Sequence, residues 1–358
     1  MVGYYYNAKG GRYSSPPQPS LIAICETKTD CSSYETNIQK PEEIKRLIAE
    51  NGFVIVKDVL TQEECKMMID GMWSSFEQIT ADMEIPINRN REETWKSFKE
   101  LEATRHIYNQ YGISHAEFLW QIRQNENILA IFSLLYHCKP TDLLVSFDGI
   151  SIQTPPEQSR SGWFRKVWYH VDSSFNQKNK DIQSYQSWVT GLDVLPGDFT
   201  TGFFVGSHKS FEEFGKRFTI EKKENFYKLQ TQEELDFYES KFEPLRISCK
   251  RGSLVVWDSR LLHTGMEPMK GRNYENSRMI CFLSYSPLSE CPMSELKKKQ
   301  ILRKRVKLYK ERRATTHWTH ACLKTVGEGK TKKGLKKLET RPNETDSLKR
   351  LVGFSFFF

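Results

Sequence analysis

No stretch of the sequence approaches the ~18 consecutive apolar residues that a membrane-spanning helix needs, so no membrane span is expected. The first residues, MVGYYYNAKGGRYSS, lack the basic-then-apolar order of a secretory leader. Phe356-Phe357-Phe358 is not a Ser-Lys-Leu peroxisomal signal, and the expected location is the cytoplasm. Cys-x-x-Cys is absent. The eight cysteines (Cys25, Cys31, Cys65, Cys138, Cys249, Cys281, Cys291, Cys322) stand singly. Isolated thiols exclude a zinc knuckle and argue against a disulfide framework, so reduced, structural cysteines are expected. An excess of positive charge is also lacking over most of the chain. The net charge is +8, yet residues 291–350 alone carry 19 Lys and Arg against 6 Asp and Glu. A basic tail on a slightly acidic body is a weak sign of nucleic-acid binding, and no nucleic-acid partner is expected. No internal repeat is visible.

What is present is enough for a sizeable core: 358 residues, 38% hydrophobic and 27% charged, in one large domain with extensions or two small ones. Residues 1–40, rich in Gly, Ser, Pro and Tyr, read as a flexible arm. Ile44, Leu47 and Ile48 stand at helical spacing and Gly52 supplies a stop, followed by a buried strand at Phe53-Val54-Ile55-Val56. Thr61-Gln62-Glu63-Glu64 is a capping box opening a helix whose Cys65, Met68, Met72, Trp73 and Phe76 form a core stripe. Residues 96–137 hold further amphipathic helical segments, including 118–131. Their His106, His115 and His137 lack a partner at ligand spacing and are expected on the surface or in the core.

From 143 to 287 the texture changes to short β-prone runs between Gly/Pro turns: 143–147, 167–171, 187–195, 202–205, 253–257 and 279–285. Such spacing suggests a sandwich or barrel rather than βαβ units. Residues 208–245 read as an insertion with its own helix, opened by a second capping box at Thr231-Gln232-Glu233-Glu234. A basic helix follows from about 294 to 313, expected to pack on the barrel through one modest apolar face. Residues 324–350 are polar and Lys-rich and are expected to be poorly ordered.

The chemistry concentrates in Trp168-Tyr169-His170-Val171-Asp172. Residues i and i+2 of a strand share a face, so His170 and Asp172 project together. A distant second histidine, His263, ends the run Arg251-Gly252-Ser253-Leu254-Val255-Val256-Trp257-Asp258-Ser259-Arg260-Leu261-Leu262. Two neutral imidazoles and one carboxylate are the facial triad of non-haem iron(II), which leaves the opposite face open for a bidentate oxo-acid and dioxygen. On the next β-prone run, Arg278 can bind the distal carboxylate of 2-oxoglutarate through its fork. Arg272 is nearer to His263 but lies in a polar turn where solvation is expected.

At this point residues 51–287 resemble the phytanoyl-CoA dioxygenase family of iron(II)/2-oxoglutarate enzymes. The likeness rests on Asn51-Gly52-Phe53-Val54-Ile55-Val56-Lys57-Asp58-Val59-Leu60 and on the His170/Asp172 pair. It rests also on Leu192-Asp193-Val194-Leu195-Pro196-Gly197-Asp198, on the Gly206-Ser207-His208-Lys209 turn, and on the stretch from Gly252 to Gly265. The resemblance implies an α+β fold: a double-stranded β-helix (jelly roll) core over 41–290, flanked by helices, with a basic helical C-terminal extension over 291–358. It implies iron(II) held by His170, Asp172 and His263, with 2-oxoglutarate and O2 as co-substrates. Beside Arg278 it places Trp188 and Thr264 next to the co-substrate, and Gln153 on the substrate side. His208 is expected to support its loop, and His317 and His320 to pack.

By the same resemblance the product is a hydroxylated small molecule or acyl compound, with succinate and CO2. The intact Asp172 argues against halogenation, which needs a non-ligating residue there. Phe199-Thr200-Thr201-Gly202 departs from the family's usual polar turn and alters the barrel rim. Two rivals stand beside this reading. A nucleic-acid dealkylating dioxygenase would show Arg-x5-Arg on the last strand, where Arg278 is followed by Ser284 instead. A non-catalytic scaffold would use the basic helix as its contact surface. The substrate side is expected to involve 143–153, 159–166 and 208–245.

Overall fold

The computed structural model describes residues 5–6, 12–13, 28–101, 106–159, 168–175, 184–220, 225–289, 293–320, 323–326 and 332–354. A short pairing joins β1 (Tyr5–Tyr6) to β2 (Arg12–Tyr13). The rest of the arm before residue 28 lies outside the described residues. From 28 onward the chain is engaged: β3 (Glu35–Asn37) runs parallel to β4 (Phe53–Lys57). Between them the helix Pro41–Asn51 buries Ile44, Leu47 and Ile48, the triplet its spacing predicted. Gly52 ends it at φ 82°, its N–H bonding Ile48 O. A Cβ there would lie 2.6 Å from both His208 Nδ1 and Leu261 Cδ1, so both conformation and packing require glycine.

Thr61 and Glu64 form the expected reciprocal box, at 3.1 Å for Glu64 N to Thr61 Oγ1 and 2.8 Å for Thr61 N to Glu64 Oε2. The helix it opens, Gln62–Ile79, buries its Met and aromatic stripe. The expected helix around 118–131 is two helices, Glu117–Arg123 and Glu126–Tyr136. Asn125 interrupts them because its side chain caps the second by accepting from Ile128 N.

Two mainly antiparallel sheets form the centre, and the fold is of mixed α and β content. The larger contains β3, β4, β5 (Ile107–Tyr108), β7 (Ile150–Gln153), β9 (Tyr185–Thr190), β13 (Leu254–Asp258) and β15 (Arg278–Leu283). Their spatial order is β3-β4-β13-β9-β15-β7-β5. The smaller contains β8 (His170–Val171), β10 (Thr200–Phe204), β11 (Tyr227–Lys228), β12 (Pro244–Arg246) and β14 (His263–Met266), ordered β11-β8-β14-β10-β12. Beside them β6 (Leu143–Val145) pairs with β16 (Tyr285–Pro287). Passing from β7 to β10 the chain alternates between the large and small sheets, and from β12 to β15 it alternates again.

This topology explains the near-continuous apolar runs in the large sheet. On β13, Val255 and Trp257 face the small sheet, together with Trp188, Phe203 and Ile280. Leu254 and Val256 face the helices, together with Met68, Phe76 and Met279. Both faces are covered, so the polar/apolar alternation of a half-exposed strand disappears. Each of these large side chains contributes roughly 1.5–3 kcal/mol by burial.

Residues 208–245 do contain the helix their capping box predicted, Gln232–Glu239. They also supply β11, at one edge of the small sheet, and the start of β12, at the other. The tail departs from expectation. The basic helix Glu295–Lys310 packs through Leu302, Arg305, Leu308 and Tyr309. Beyond it, Leu335, Leu338, Leu348, Leu351 and Val352 are buried, the last three in a helix at Asp346–Val352. Residues 332–354 are therefore built into the core, because their few leucines insert between helices while the lysines stay outside. No helix among the described residues is long and apolar enough to cross a membrane.

Candidate active site

β8 and β14 are neighbours in the small sheet, and their register sets His170 opposite His263. The two imidazole centroids lie 4.0 Å apart. Asp172, two residues beyond His170, presents Oδ2 at 3.6 Å from His170 Nε2 and 3.4 Å from His263 Nε2. Each ring is oriented by its own strand. His170 Nδ1 meets Trp168 O at 3.0 Å and His263 Nδ1 meets Leu261 O at 2.9 Å. A carbonyl only accepts, so Nδ1 carries the proton and both Nε2 lone pairs face the carboxylate. Trp168 stacks on His170 with centroids 3.6 Å apart.

Burial, with His263 alongside, lowers His170 to about 4, which leaves it neutral near pH 7. Burial alone would raise Asp172, but the facing His170 and the nearby His317 hold it well below the usual carboxylate range. Gln186 Nε2 steadies this carboxylate, donating to Oδ2 at 3.0 Å and to Ser259 Oγ at 3.3 Å. Asp172 N donates to Ser259 O at 2.8 Å. The ligand atoms of the three residues lie within 4.8 Å of one another. Two neutral imidazole nitrogens and an ionised carboxylate on one side of a cavity fit non-haem iron(II).

Arg278 opens β15 and is 6% exposed. Burial lowers its guanidinium to about 9. Its partners are neutral: Gln153 Oε1 at 3.4 Å from Nη1 and Thr201 Oγ1 at 3.5 Å from Nη2. Nε has no hydrogen-bond partner among the described residues. A buried cation without a carboxylate among the described residues is an anion site in waiting.

One cavity of about 510 Å³ is bordered by His170, Asp172, His263, Arg278 and Gln153. The structure thus brings five of the seven sequence candidates to one space. The other two are corrected. Thr264 turns away, because in an extended strand His263 and Gly265 share the opposite face. Its buried hydroxyl accepts from Trp168 N at 3.2 Å and donates to Gly265 O at 3.2 Å, joining two strand ends. Trp188 is wholly buried and does not border the cavity. It lies beneath Arg278, 5.1 Å from guanidinium to ring, and donates Nε1 to Thr201 Oγ1 at 3.1 Å. Its part is to position the arginine and the threonine.

Other expectations are also revised. Arg272 is buried rather than solvated, paired with Glu157 at 2.9 Å and Asp198 at 2.7 Å. His106 and His317, expected on the surface or in packing, both border the cavity. His115 is buried against Arg313 O at 3.0 Å, as a structural histidine should be. His320 meets Thr319 Oγ1, and His208 supports its loop through Ala49 O at 3.1 Å. Sequence reasoning missed Gln186 as a wall residue, whereas Thr201 and Asp148 fall in stretches it had named, 199–202 and 143–153, without being singled out. Gln186 was within reach: it lies one strand period before Trp188. The rim motif at 199–202 does line the cavity, through Phe199, Thr200 and Thr201. Of residues 159–166, nominated for the substrate side, 160–166 lie outside the described residues.

Comparison with known proteins agrees with this geometry. A curated relative, Ava biosynthesis cluster protein O of Aspergillus versicolor, is 24% identical over 273 residues, covering 74% of this chain and 83% of its own. The structure of a hypothetical protein from Escherichia coli superimposes with a TM-score of 0.56 at 13% identity, covering 90% of this chain and 86% of the other. The GlcNAc-inducible gene 2 product of Candida albicans does so with 0.54 at 11% identity, covering 94% and 85%. These two structural likenesses bear on the fold alone. The phytanoyl-CoA dioxygenase family model matches residues 48–267, which include the whole His170–Asp172–His263 cluster. The chain belongs to the phytanoyl-CoA dioxygenase family and is a non-haem iron(II)/2-oxoglutarate-dependent dioxygenase.

Proposed function

We propose that the chain hydroxylates an unactivated C–H bond of a small molecule in this cavity, converting 2-oxoglutarate to succinate and CO2 in the same turnover. The observation that carries the reading is Arg278, a buried guanidinium with only neutral partners among the described residues, on the cavity of the two-histidine, one-carboxylate cluster. Iron(II) bound by His170, Asp172 and His263 would supply the activation of dioxygen. Arg278 fixes the distal carboxylate of 2-oxoglutarate, with Thr201 and Gln153 beside it and Trp188 behind. Gln186 holds Asp172 in its ligating orientation. Phe199, Met266, Phe282 and Trp318 exclude water and enclose the substrate.

The intact Asp172 favours hydroxylation over halogenation. The alternation of strands between the two sheets supports a double-stranded β-helix for 41–290, with 291–358 packed on it as an extension. The free thiols of Cys31, Cys65, Cys138, Cys249 and Cys281 suit a reducing, cytoplasmic setting.

A small metabolite suits the cavity better than an acyl-CoA. About 510 Å³ must hold the co-substrate as well. Among its described lining residues the Lys and Arg are Arg278 and Lys324, against the carboxylates of Asp148 and Glu267 in addition to Asp172. A polyphosphate nucleotide would find little cationic complement there. The name of the Aspergillus relative, a biosynthesis-cluster protein, favours the same substrate class. Purified protein given iron(II), ascorbate and 2-oxoglutarate should bind one iron and release succinate. Failure to bind iron together with failure to consume 2-oxoglutarate would refute the reading in favour of a scaffold.

A further inference from the structure

The cavity wall contains two polar groups that neither the metal cluster nor the co-substrate arginine employs: Asp148, just before β7, and His317, from the C-terminal extension. The fold takes some trouble to place them. Thr315 is tied to the chain just before Asp148, accepting from Phe147 N at Oγ1 (2.9 Å) and donating its own N–H to Phe147 O (2.9 Å). The loop then returns along itself, with Thr316 N on Lys324 O at 3.0 Å and Val326 N on Ala314 O at 3.1 Å. Arg305 Nη1 holds Thr319 O at 2.6 Å from beneath. His317 is therefore carried on an anchored loop.

Both groups are incompletely satisfied. Among the described residues, the Asp148 carboxylate accepts from Gly149 N at 2.7 Å. The guanidinium nearby, Arg123, donates to the backbone oxygen of Asp148 at 2.8 Å rather than to its carboxylate. Burial correspondingly raises the Asp148 carboxyl to about 6. His317 Nε2 is buried without a hydrogen-bond partner among the described residues. Each also lies within electrostatic reach of Asp172. The His317 Nε2 atom is buried and the half-buried Asp148 borders the cavity, so a ligand there can complete both. Around them the cavity is largely apolar and aromatic, through Trp168, Met266, Phe282 and Trp318.

We propose that Asp148 and His317 form the substrate's polar anchor, binding a hydroxyl or amino group. That group donates a hydrogen bond to the Asp148 carboxylate and pairs with His317 Nε2, while the apolar remainder of the substrate lies between the aromatic walls. The assignment rests on the dioxygenase reading and adds to it the class of substrate: an apolar body bearing a hydrogen-bond donor. The extension is thereby a specificity element of the reaction.

The test uses the full chain, loaded anaerobically with iron(II) and 2-oxoglutarate, and follows perturbation of the iron–oxo-acid absorption band. Three probes of one body size are titrated: cyclohexanol, cyclohexylamine and cyclohexanone. The expected result is that the alcohol or the amine binds about tenfold or more tightly than the ketone, which accepts but does not donate. Preference for the amine identifies an ammonium ligand, and preference for the alcohol a neutral hydroxyl. With iron at saturation, Asp148→Asn and His317→Phe should each erase that preference while the 2-oxoglutarate dissociation constant, set at Arg278, stays at its parental value. Melting temperatures verify that the variants fold, and His317→Gln serves in place of a misfolded His317→Phe. Equal affinity for all three probes, no binding of any, or an undiminished preference in the variants overturns the anchor. A parent that binds neither iron nor 2-oxoglutarate overturns the dioxygenase reading itself, a result distinct from the others.

Discussion

Replacing Arg278 with methionine should strengthen the free protein and cripple co-substrate binding at once. An arginine remains charged in practice, so a guanidinium whose pKa burial has brought down to about 9 imposes its charging cost on the fold. Relative to the ordinary value near 12.5 that cost is at most about 5 kcal/mol. The arginine's packing over Trp188 and its two long hydrogen bonds offset part of it. A net gain on the order of 2 kcal/mol in the free Arg278→Met protein follows if these contacts retain about half the difference. When 2-oxoglutarate is present the balance reverses. Loss of one partner of a buried charge pair costs about 2–5 kcal/mol, or on the order of 10²–10³ in affinity.

Urea unfolding of the parent and Arg278→Met, with and without 2-oxoglutarate, and calorimetric titration of each measure both effects. The parent should gain stability with added 2-oxoglutarate and the variant should not. Undiminished affinity in the variant would refute the assignment of the co-substrate carboxylate to Arg278. A free variant less stable than the free parent would refute the argument from charge burial.

Three further outcomes are expected. Gln186→Leu, which removes the 3.0 Å donor to Asp172, should weaken iron binding about 10–100-fold with little change in folding, as measured by metal-competition titration. Arg305→Met should destabilise the protein by about 3–5 kcal/mol in urea, because Arg305 serves the carbonyls of Val352, Thr319, Val145 and Leu351 at 2.6–3.0 Å. The metal-free protein should lose stability as pH falls below about 6.5. Burial holds His115 neutral down to about 3, so the unfolded chain takes up a proton that the folded one refuses. At pH 4.5 this one group costs about 2–3 kcal/mol, and the acid limb of a stability–pH curve should flatten in His115→Phe.

The chemical centre was the most legible part of the sequence, for a geometric reason. His170 and Asp172 share a strand face because β-structure has a period of two, and His263 terminates a strong apolar strand. Arg278 was distinguishable from Arg272 by its apolar context, although the structure satisfies Arg272 with carboxylates and not with water. What escaped reading was whatever depends on partners distant in the chain. β7 is missing from the β-prone runs because only four residues form it and its polar Ser151 and Gln153 face the cavity, and it was the resemblance that pointed to Gln153. Thr264 and Trp188 were placed near the right neighbours but with the wrong aspect, since composition does not reveal which way a strand-end side chain turns. The tail looked solvated because its lysines outnumber the leucines that do the packing. His317 gave no local signal, since Asp172 and His263, the groups it interacts with in the cavity, stand on segments remote from it in the chain.

The clasp between Phe147 and Thr315 has a temporal consequence. All strands of both sheets have been synthesised once β16 ends at Pro287, yet the chamber still lacks one side. Val145 and Phe147 must wait for Arg305 and Thr315 to leave the ribosome before their backbone groups are paired. The two sheets emerging first thus form an open vessel, and its last wall is mounted on them only at the end.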